Sequence, residues 1–110
     1  GQKCSAVSRV YVPDSLWPQL KPRLLEMLGE LRMGDPADFR NFMGAVIDQG
    51  AFESITEYID HAKNADNVEI LHGGGYDGEK GYFIEPTLVQ VQDPYYRLMC
   101  EEVFGPVVAL

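Results

Sequence analysis

The stretch Ala6-Val7-Ser8-Arg9-Val10-Tyr11-Val12 alternates and is rich in β-branched residues, which predicts a strand. Leucines then recur at the spacing of one helix face, at Leu16, Leu20, Leu24, Leu28 and Leu31, with Met27 beside them. Such a stripe is typical of a helix that packs on a sheet. Pro18 fits the first turn of this helix if Ser15 caps it, whereas Pro22 predicts a kink or a later start. We expect the helix to end at Gly34.

The rest of the chain continues the alternation of strands and helices. Asp48 is placed to cap a second helix, whose apolar face consists of Phe52, Ile55, Ile59 and Ala62, with Tyr58 at its margin. Short strands are predicted over residues 68–72 and 103–110, with an extended segment broken by a proline over residues 82–91. This order predicts an α/β fold with parallel pairing. Two substantial helices cannot cover both faces of a parallel sheet, so we expect residues 1–110 to be a single segment of a larger domain.

Composition excludes several classes of protein. The chain has 110 residues and a net charge of −8, which disfavours a nucleic-acid partner because the phosphate backbone is also negative. No apolar run approaches the roughly 20 residues of a membrane span, and no signal peptide is expected. The two cysteines, Cys4 and Cys100, are expected to be free thiols. His61 and His72 lie eleven residues apart with no cysteine beside them, so we expect no metal site.

Two short motifs near the ends of the chain are candidates for chemistry. In Gly1-Gln2-Lys3-Cys4-Ser5-Ala6, small neighbours leave the sulfur of Cys4 accessible, although an arbitrary cysteine is more often a small buried hydrophobe. In Glu101-Glu102-Val103-Phe104-Gly105-Pro106, a strand would place the carboxylate and the aromatic ring of residues 102 and 104 on one face. Such a face would suit a ligand that has a ribose hydroxyl and a flat ring. Gly73-Gly74-Gly75 is interpreted as a turn and not as a phosphate-binding loop, since no helix opens after it.

Together these motifs resemble the aldehyde dehydrogenase superfamily, whose nucleophile motif reads Gly-Gln-x-Cys and whose second cofactor motif reads Glu-Glu-(Ile/Val)-Phe-Gly-Pro. Their separation of about a hundred residues also fits that superfamily. Further stretches are similar to its delta-1-pyrroline-5-carboxylate dehydrogenase branch, namely Gly34-Asp35-Pro36, Gly44-Ala45-Val46-Ile47-Asp48 and Gly81-Tyr82-Phe83-Ile84-Glu85-Pro86. The resemblance covers essentially the whole chain. It implies that the segment belongs to the catalytic, thiol-bearing domain and that the cofactor-binding domain is not in the chain.

The resemblance also implies a reaction and a set of roles. Cys4 would attack an aldehyde, NAD would be the cofactor, and water would release the acid from a thioester. The Cys4 N–H would form half of an oxyanion hole, Glu102 would bind the nicotinamide ribose with Phe104 beside it, and Ser5 would contact a substrate carboxylate. The expected substrate is L-glutamate gamma-semialdehyde. A dehydrogenase of another semialdehyde, such as succinate semialdehyde, and an inert interaction module are the alternatives.

Other expectations concern the whole enzyme. The general-base Glu and the oxyanion-hole Asn of the superfamily match no residue of this chain, so residues 1–110 alone are expected to be inactive. The full-length enzyme is expected to be a homo-oligomer that acts on a small aldehyde, without a membrane or nucleic-acid partner. Its compartment would be the cytoplasm in a bacterium and the mitochondrial matrix in a eukaryote.

Overall fold

The computed structural model describes all of residues 1–110 and contains three helices and five strands. In chain order they are α1 (Trp17–Glu30), α2 (Gln49–Lys63), β1 (Val68–His72), β2 (Tyr76–Asp77), β3 (Phe83–Ile84), β4 (Thr87–Val91), α3 (Arg97–Cys100) and β5 (Val107–Ala109). The predicted α/β class is confirmed. None of the three helices has the length and apolar character that a membrane span requires.

The main sheet has the strand order β1-β4-β5 and is mixed in direction. β4 and β5 pair in parallel, as expected, with Val89 opposite Ala109. β1 and β4 are antiparallel, with Ile70 opposite Val89, so the sheet also contains an antiparallel pair that we did not expect. The reason lies in the connection, because β1 returns to β4 through turns and the short β2–β3 ladder, whereas a parallel pair needs a longer crossover.

The stretch 6–12 forms less regular structure than its pattern predicts. It adds one parallel bridge, between Arg9 and Ala109, to the open edge of β5. The Val10 N–H donates to the Ala109 carbonyl over 2.8 Å, and the Ala109 N–H donates to the Ser8 carbonyl over 3.0 Å. Only one neighbour is present, so the alternating pattern produces an edge segment and not a full strand.

Helix α1 differs from its prediction at both ends. Leu16 occupies the N-cap position without a side-chain hydrogen bond, so Ser15 does not cap it, and Pro18 lies in the first turn as expected. The helix continues through Pro22 and ends at Glu30, before Gly34. It ends there because the following residues pair with the loop ahead of α2, where the Phe42 N–H donates to the Arg32 carbonyl over 2.8 Å. No residue of α1 is fully buried, so its leucine stripe covers the sheet only loosely.

Helix α2 supplies most of the helical core. The Asp48 carboxylate accepts a hydrogen bond from the Ala51 N–H over 2.8 Å, which confirms the predicted cap. Its apolar face packs on the sheet and on α3, in a buried cluster formed by Val46, Ile55, Ile59, Ala62, Ile84, Val89, Leu98, Met99, Val103, Val107 and Ala109. The core therefore lies between α2 and one face of the sheet, directly behind the segment that carries the Glu-Glu-Val-Phe-Gly-Pro motif.

The glycine run after β1 is not the turn that we predicted, because it links β1 to β2 without reversing the chain. Gly73 and Gly74 have φ of +74° and +85°, a region that glycine enters without steric cost. The N–H groups that could face a phosphate are already used, since Gly74 donates to the Thr87 hydroxyl and Gly75 donates to the Glu85 carboxylate, each over 3.0 Å. The chain reverses only later, between β2 and β3.

Candidate active site

Cys4 lies on an exposed turn close to the beginning of the chain. The Ala6 N–H donates to the Lys3 carbonyl over 2.9 Å, which closes a β-turn with Cys4 and Ser5 as its two central residues. Both side chains are exposed, and the thiol is free. No hydrogen bond within the chain uses the backbone N–H of Cys4. The tip of this turn thus presents an exposed thiol and an unpaired backbone N–H, both from Cys4.

The two motifs, about a hundred residues apart in sequence, are in direct contact. A Cβ placed on Gly1 would lie 1.7 Å from the carbonyl oxygen of Gly105, and 2.9 Å from the nitrogen of Pro106. Only a glycine leaves room for this approach of two backbones. Gly105 itself fits against α2, since a Cβ there would lie 2.6 Å from Cδ1 of Ile55. Two glycines therefore join the cysteine turn, the second motif and α2.

Residues 101–106 form an irregular turn and not the strand that we expected. Regular pairing begins only at Val107, and Phe104 has a φ of +55°, the only positive value at a non-glycine residue in the structure. Burial still alternates here, since Val103 is buried and Phe104 is exposed, but the backbone is not that of a strand. Glu102 and Phe104 therefore do not share a strand face. A bulky residue at positive φ stores strain of order 1–3 kcal/mol, and such residues cluster at functional sites.

Phe104 stands between two openings in the surface. On one side is a pocket of about 390 Å³, lined by Gln2, Ile47 and Val103 among others. On the other side is a narrow cleft, where Phe104 is joined by Lys3 and Glu102. The side chain of Gln2 fixes the rim of the pocket, because its Oε1 accepts a hydrogen bond from the Ile47 N–H over 3.0 Å. The structure thus brings Glu102 and Phe104 together beside Lys3, the residue before Cys4.

A network of polar side chains leads from α2 to the start of this turn. The Tyr58 hydroxyl donates a short hydrogen bond to Oε2 of Glu101. The Arg97 guanidinium lies 4.0 Å from the centre of the Tyr58 ring and 3.2 Å from Oε1 of Glu57. Tyr58, with Glu57 and Glu101 contributing less, raises the pKa of Arg97 against the opposing effect of burial. Glu102 has no hydrogen-bond partner within the chain, which leaves its carboxylate available to a ligand.

The fold and this site define the class of protein. The sequence profile described as "Aldehyde dehydrogenase family" matches residues 1–110, and the chain belongs to that family. The resemblance expected from the two motifs is therefore confirmed.

Relatives indicate the branch of the family. The chain is 50% identical over 111 residues to the human protein named "Delta-1-pyrroline-5-carboxylate dehydrogenase, mitochondrial", and 49% identical over 110 residues to its namesake from Dictyostelium discoideum. All of this chain aligns in both comparisons, but only 20% of each relative. The chain thus spans about a fifth of the length of these curated relatives.

A solved structure has the same fold over this segment. It is the delta-pyrroline-5-carboxylate dehydrogenase from Mycobacterium tuberculosis bound with NAD, which superposes with a TM-score of 0.87 at 43% identity. The match covers 99% of this chain and 19% of that one. The fold of this segment therefore occurs within a larger protein whose structure was solved with NAD bound.

Sequence reasoning missed several residues that shape this site. Ile55 and Gly105 were assigned to a helix face and a strand, and their mutual contact had no signal in the sequence. Tyr58 was placed at the margin of the apolar face of α2, although its hydroxyl reaches the second motif. Helix α3, which supplies Arg97, was not predicted because it has only four residues. The helical spacing of Ile55 and Tyr58 was the one available signal, as it places both on one side of α2.

Proposed function

We propose that the full-length protein oxidises L-glutamate gamma-semialdehyde, the open form of delta-1-pyrroline-5-carboxylate, to L-glutamate with NAD, a step of proline catabolism. The observation that carries the proposal is the contact of Gly1 with Gly105, which joins the cysteine turn to the turn of Glu102 and Phe104. The substrate follows from relatives at about 50% identity that bear that enzyme's name. Residues 1–110 form part of the catalytic domain in this proposal.

Cys4 is the proposed nucleophile. Its thiolate adds to the aldehyde carbon, forming a C–S bond while the carbonyl electron pair moves to oxygen. The unused N–H of Cys4 donates a hydrogen bond to that oxygen as charge develops on it. Exposure of the thiol at the tip of a turn supports this role, because an aldehyde reaches it without a change of backbone.

Glu102 and Phe104 are the proposed cofactor-binding residues of this chain. Their chemistry fits a nicotinamide riboside, since the Glu102 carboxylate is exposed and unpaired and the Phe104 ring, 45% exposed, borders the pocket of about 390 Å³. A carboxylate accepts hydrogen bonds from ribose hydroxyls, and an aromatic ring packs against a flat group. Bound NAD supplies a hydride acceptor, so that the adduct on Cys4 is oxidised to a thioester.

The remaining proposed role belongs to Ser5. It follows Cys4 on the same turn, and its exposed hydroxyl is available to a carboxylate at the far end of the substrate. Water then attacks the thioester carbon, the C–S bond breaks, and the acid leaves with Cys4 restored.

The full-length protein is proposed to be a homo-oligomer. Its proposed compartment is the mitochondrial matrix in a eukaryote, as in the named relatives, and the cytoplasm in a bacterium.

The test is turnover by the full-length protein with two aldehydes. NADH formation is measured with L-glutamate gamma-semialdehyde and with succinate semialdehyde, each with NAD and with NADP. We expect kcat/KM to be highest for the first aldehyde with NAD. Faster oxidation of succinate semialdehyde would move the protein to another branch of the family. No turnover, together with a thiol at Cys4 that does not react with iodoacetamide, would indicate an inert interaction module.

A further inference from the structure

Four side chains link α2, α3 and the start of the 101–106 turn to one another. They are Glu57, Tyr58, Arg97 and Glu101, here called the α2–α3 clamp. Tyr58 donates its short hydrogen bond to Oε2 of Glu101, and Nη2 of Arg97 lies 3.7 Å from the same oxygen. Nη1 of Arg97 pairs with Glu57 over 3.2 Å. One guanidinium thus bridges a carboxylate on α2 and the carboxylate that begins the turn.

One row of side chains on α2 holds the whole segment that leads into the turn. Residues three apart on a helix lie on the same side of it, and Ile55, Tyr58 and His61 have this spacing. Ile55 contacts Gly105, Tyr58 holds Glu101, and Nδ1 of His61 lies 2.8 Å from the Tyr96 hydroxyl. The turn is therefore fastened to α2 at both of its ends.

The clamp contributes more to geometry than to stability. The side chain of Glu101 is 51% exposed and that of Arg97 is 25% exposed, and ion pairs this open to water stabilise a fold by little. A phenol–carboxylate hydrogen bond is directional, however, and the stacked guanidinium keeps the ring in place. Backbone also constrains the carboxylate, since the Glu101 N–H donates to the Arg97 carbonyl over 2.8 Å.

What the clamp orients is the residue that follows it. Glu102 makes no hydrogen bond or ion pair that would fix its direction, and Phe104 has a strained backbone. A segment of this kind keeps one conformation only if its flanks determine it. On the N-terminal side this segment is held by Glu101. On the other side it is held by Val103 and Gly105, which are buried.

We propose that Tyr58 and Arg97 are positioning residues, which hold Glu101 so that Glu102 and Phe104 are presented to the nicotinamide riboside in a single orientation. The proposal rests on the function proposed above. It adds a requirement on α2 and α3, which supply no group to the reacting atoms.

The experiment uses the full-length protein and compares Tyr58→Phe, Glu101→Ala, their double variant, and Arg97→Met. Tyr95→Phe is the matched control, because this tyrosine is 85% exposed and its hydroxyl makes no hydrogen bond in the structure. Four quantities are measured for each, namely the Kd for NAD, the KM for the aldehyde, the rate of Cys4 alkylation without NAD, and the midpoint of thermal unfolding.

We expect Tyr58→Phe and Arg97→Met to raise the Kd for NAD roughly three- to tenfold, the loss of one hydrogen bond at a partly exposed site. The aldehyde KM, the alkylation rate and the unfolding midpoint should stay near wild type, and Tyr95→Phe should match wild type throughout. The double variant should bind NAD no more weakly than Glu101→Ala alone, since both remove one interaction.

Two results would overturn the inference. In the first, wild type binds NAD, and both Tyr58→Phe and Arg97→Met bind it with the same Kd as wild type. The other is a general loosening, in which the Kd, the aldehyde KM and the alkylation rate all change as the unfolding midpoint falls. Failure of wild type itself to bind NAD is a separate result, which would overturn the proposed function and this inference together.

Discussion

Gly1 and Gly105 are in backbone contact across almost the whole length of the chain, so close that a Cβ on the first would lie 1.7 Å from the carbonyl oxygen of the second. This contact makes one site out of two motifs. It also makes the site sensitive to small changes, because neither backbone can move away without disturbing a turn that bears a candidate functional side chain.

The first prediction concerns that contact. Gly1→Ala in the full-length enzyme should lower kcat/KM by at least about tenfold, since the new methyl group meets backbone, which cannot yield as a flexible side chain does. Steady-state kinetics with both substrates is the measurement. Gly29→Ala is the matched control, because nothing lies within 4 Å of a Cβ there and alanine stabilises a helix interior by about 0.5–1 kcal/mol. Equal activity of the two variants would contradict the prediction.

The second prediction distinguishes the two free thiols. Cys4→Ala should abolish aldehyde oxidation and leave the Kd for NAD within about twofold of wild type, because the thiol is the proposed nucleophile and does not line the pocket beside Phe104. Cys100→Ala should remain active, since its sulfur only approaches the Pro94 carbonyl at 3.8 Å. Turnover assays and NAD titration measure both. Normal turnover by Cys4→Ala, or an inactive Cys100→Ala, would refute the assignment.

The third prediction assigns Glu102 to the cofactor and not to the activation of water. Glu102→Gln should slow the single-turnover burst of NADH by about 10- to 100-fold, the cost of one charge-assisted hydrogen bond of roughly 1.5–3 kcal/mol. Rapid mixing of enzyme, NAD and aldehyde gives the burst rate. If the burst kept its rate and only hydrolysis of the thioester slowed, Glu102 would be the general base instead.

The fourth prediction concerns residues 1–110 expressed alone. They should be inactive and poorly soluble, because α1 buries none of its residues and large apolar side chains face water, among them Phe39 at 97%, Ile47 at 80% and Phe42 at 74% exposure. An apolar pocket of about 510 Å³ between α1 and the sheet adds to this surface. Solution scattering and NAD titration are the measurements. A compact monomer that binds NAD tightly would contradict the prediction.

Local patterns predicted the elements whose causes are local. The capped start of α2 at Asp48 and the strand over residues 68–72 are both as expected. A cap and an alternating run each depend on neighbours within a few residues, and the sequence displays those neighbours directly. The edge segment 6–12 and the irregular turn 101–106 were misjudged because their conformation depends on partners far along the chain.

The family, the α/β class and the candidate residues Cys4, Ser5, Glu102 and Phe104 could be predicted from the sequence, since short motifs keep their chemistry wherever they fold. The contact of Gly1 with Gly105, the positive φ of Phe104, and the approach of Tyr58 and Arg97 to Glu101 became apparent from the three-dimensional structure alone. These relationships come from the packing of α2 and α3 behind the turn. Packing sums many weak contacts between residues distant in sequence, and no local pattern records them.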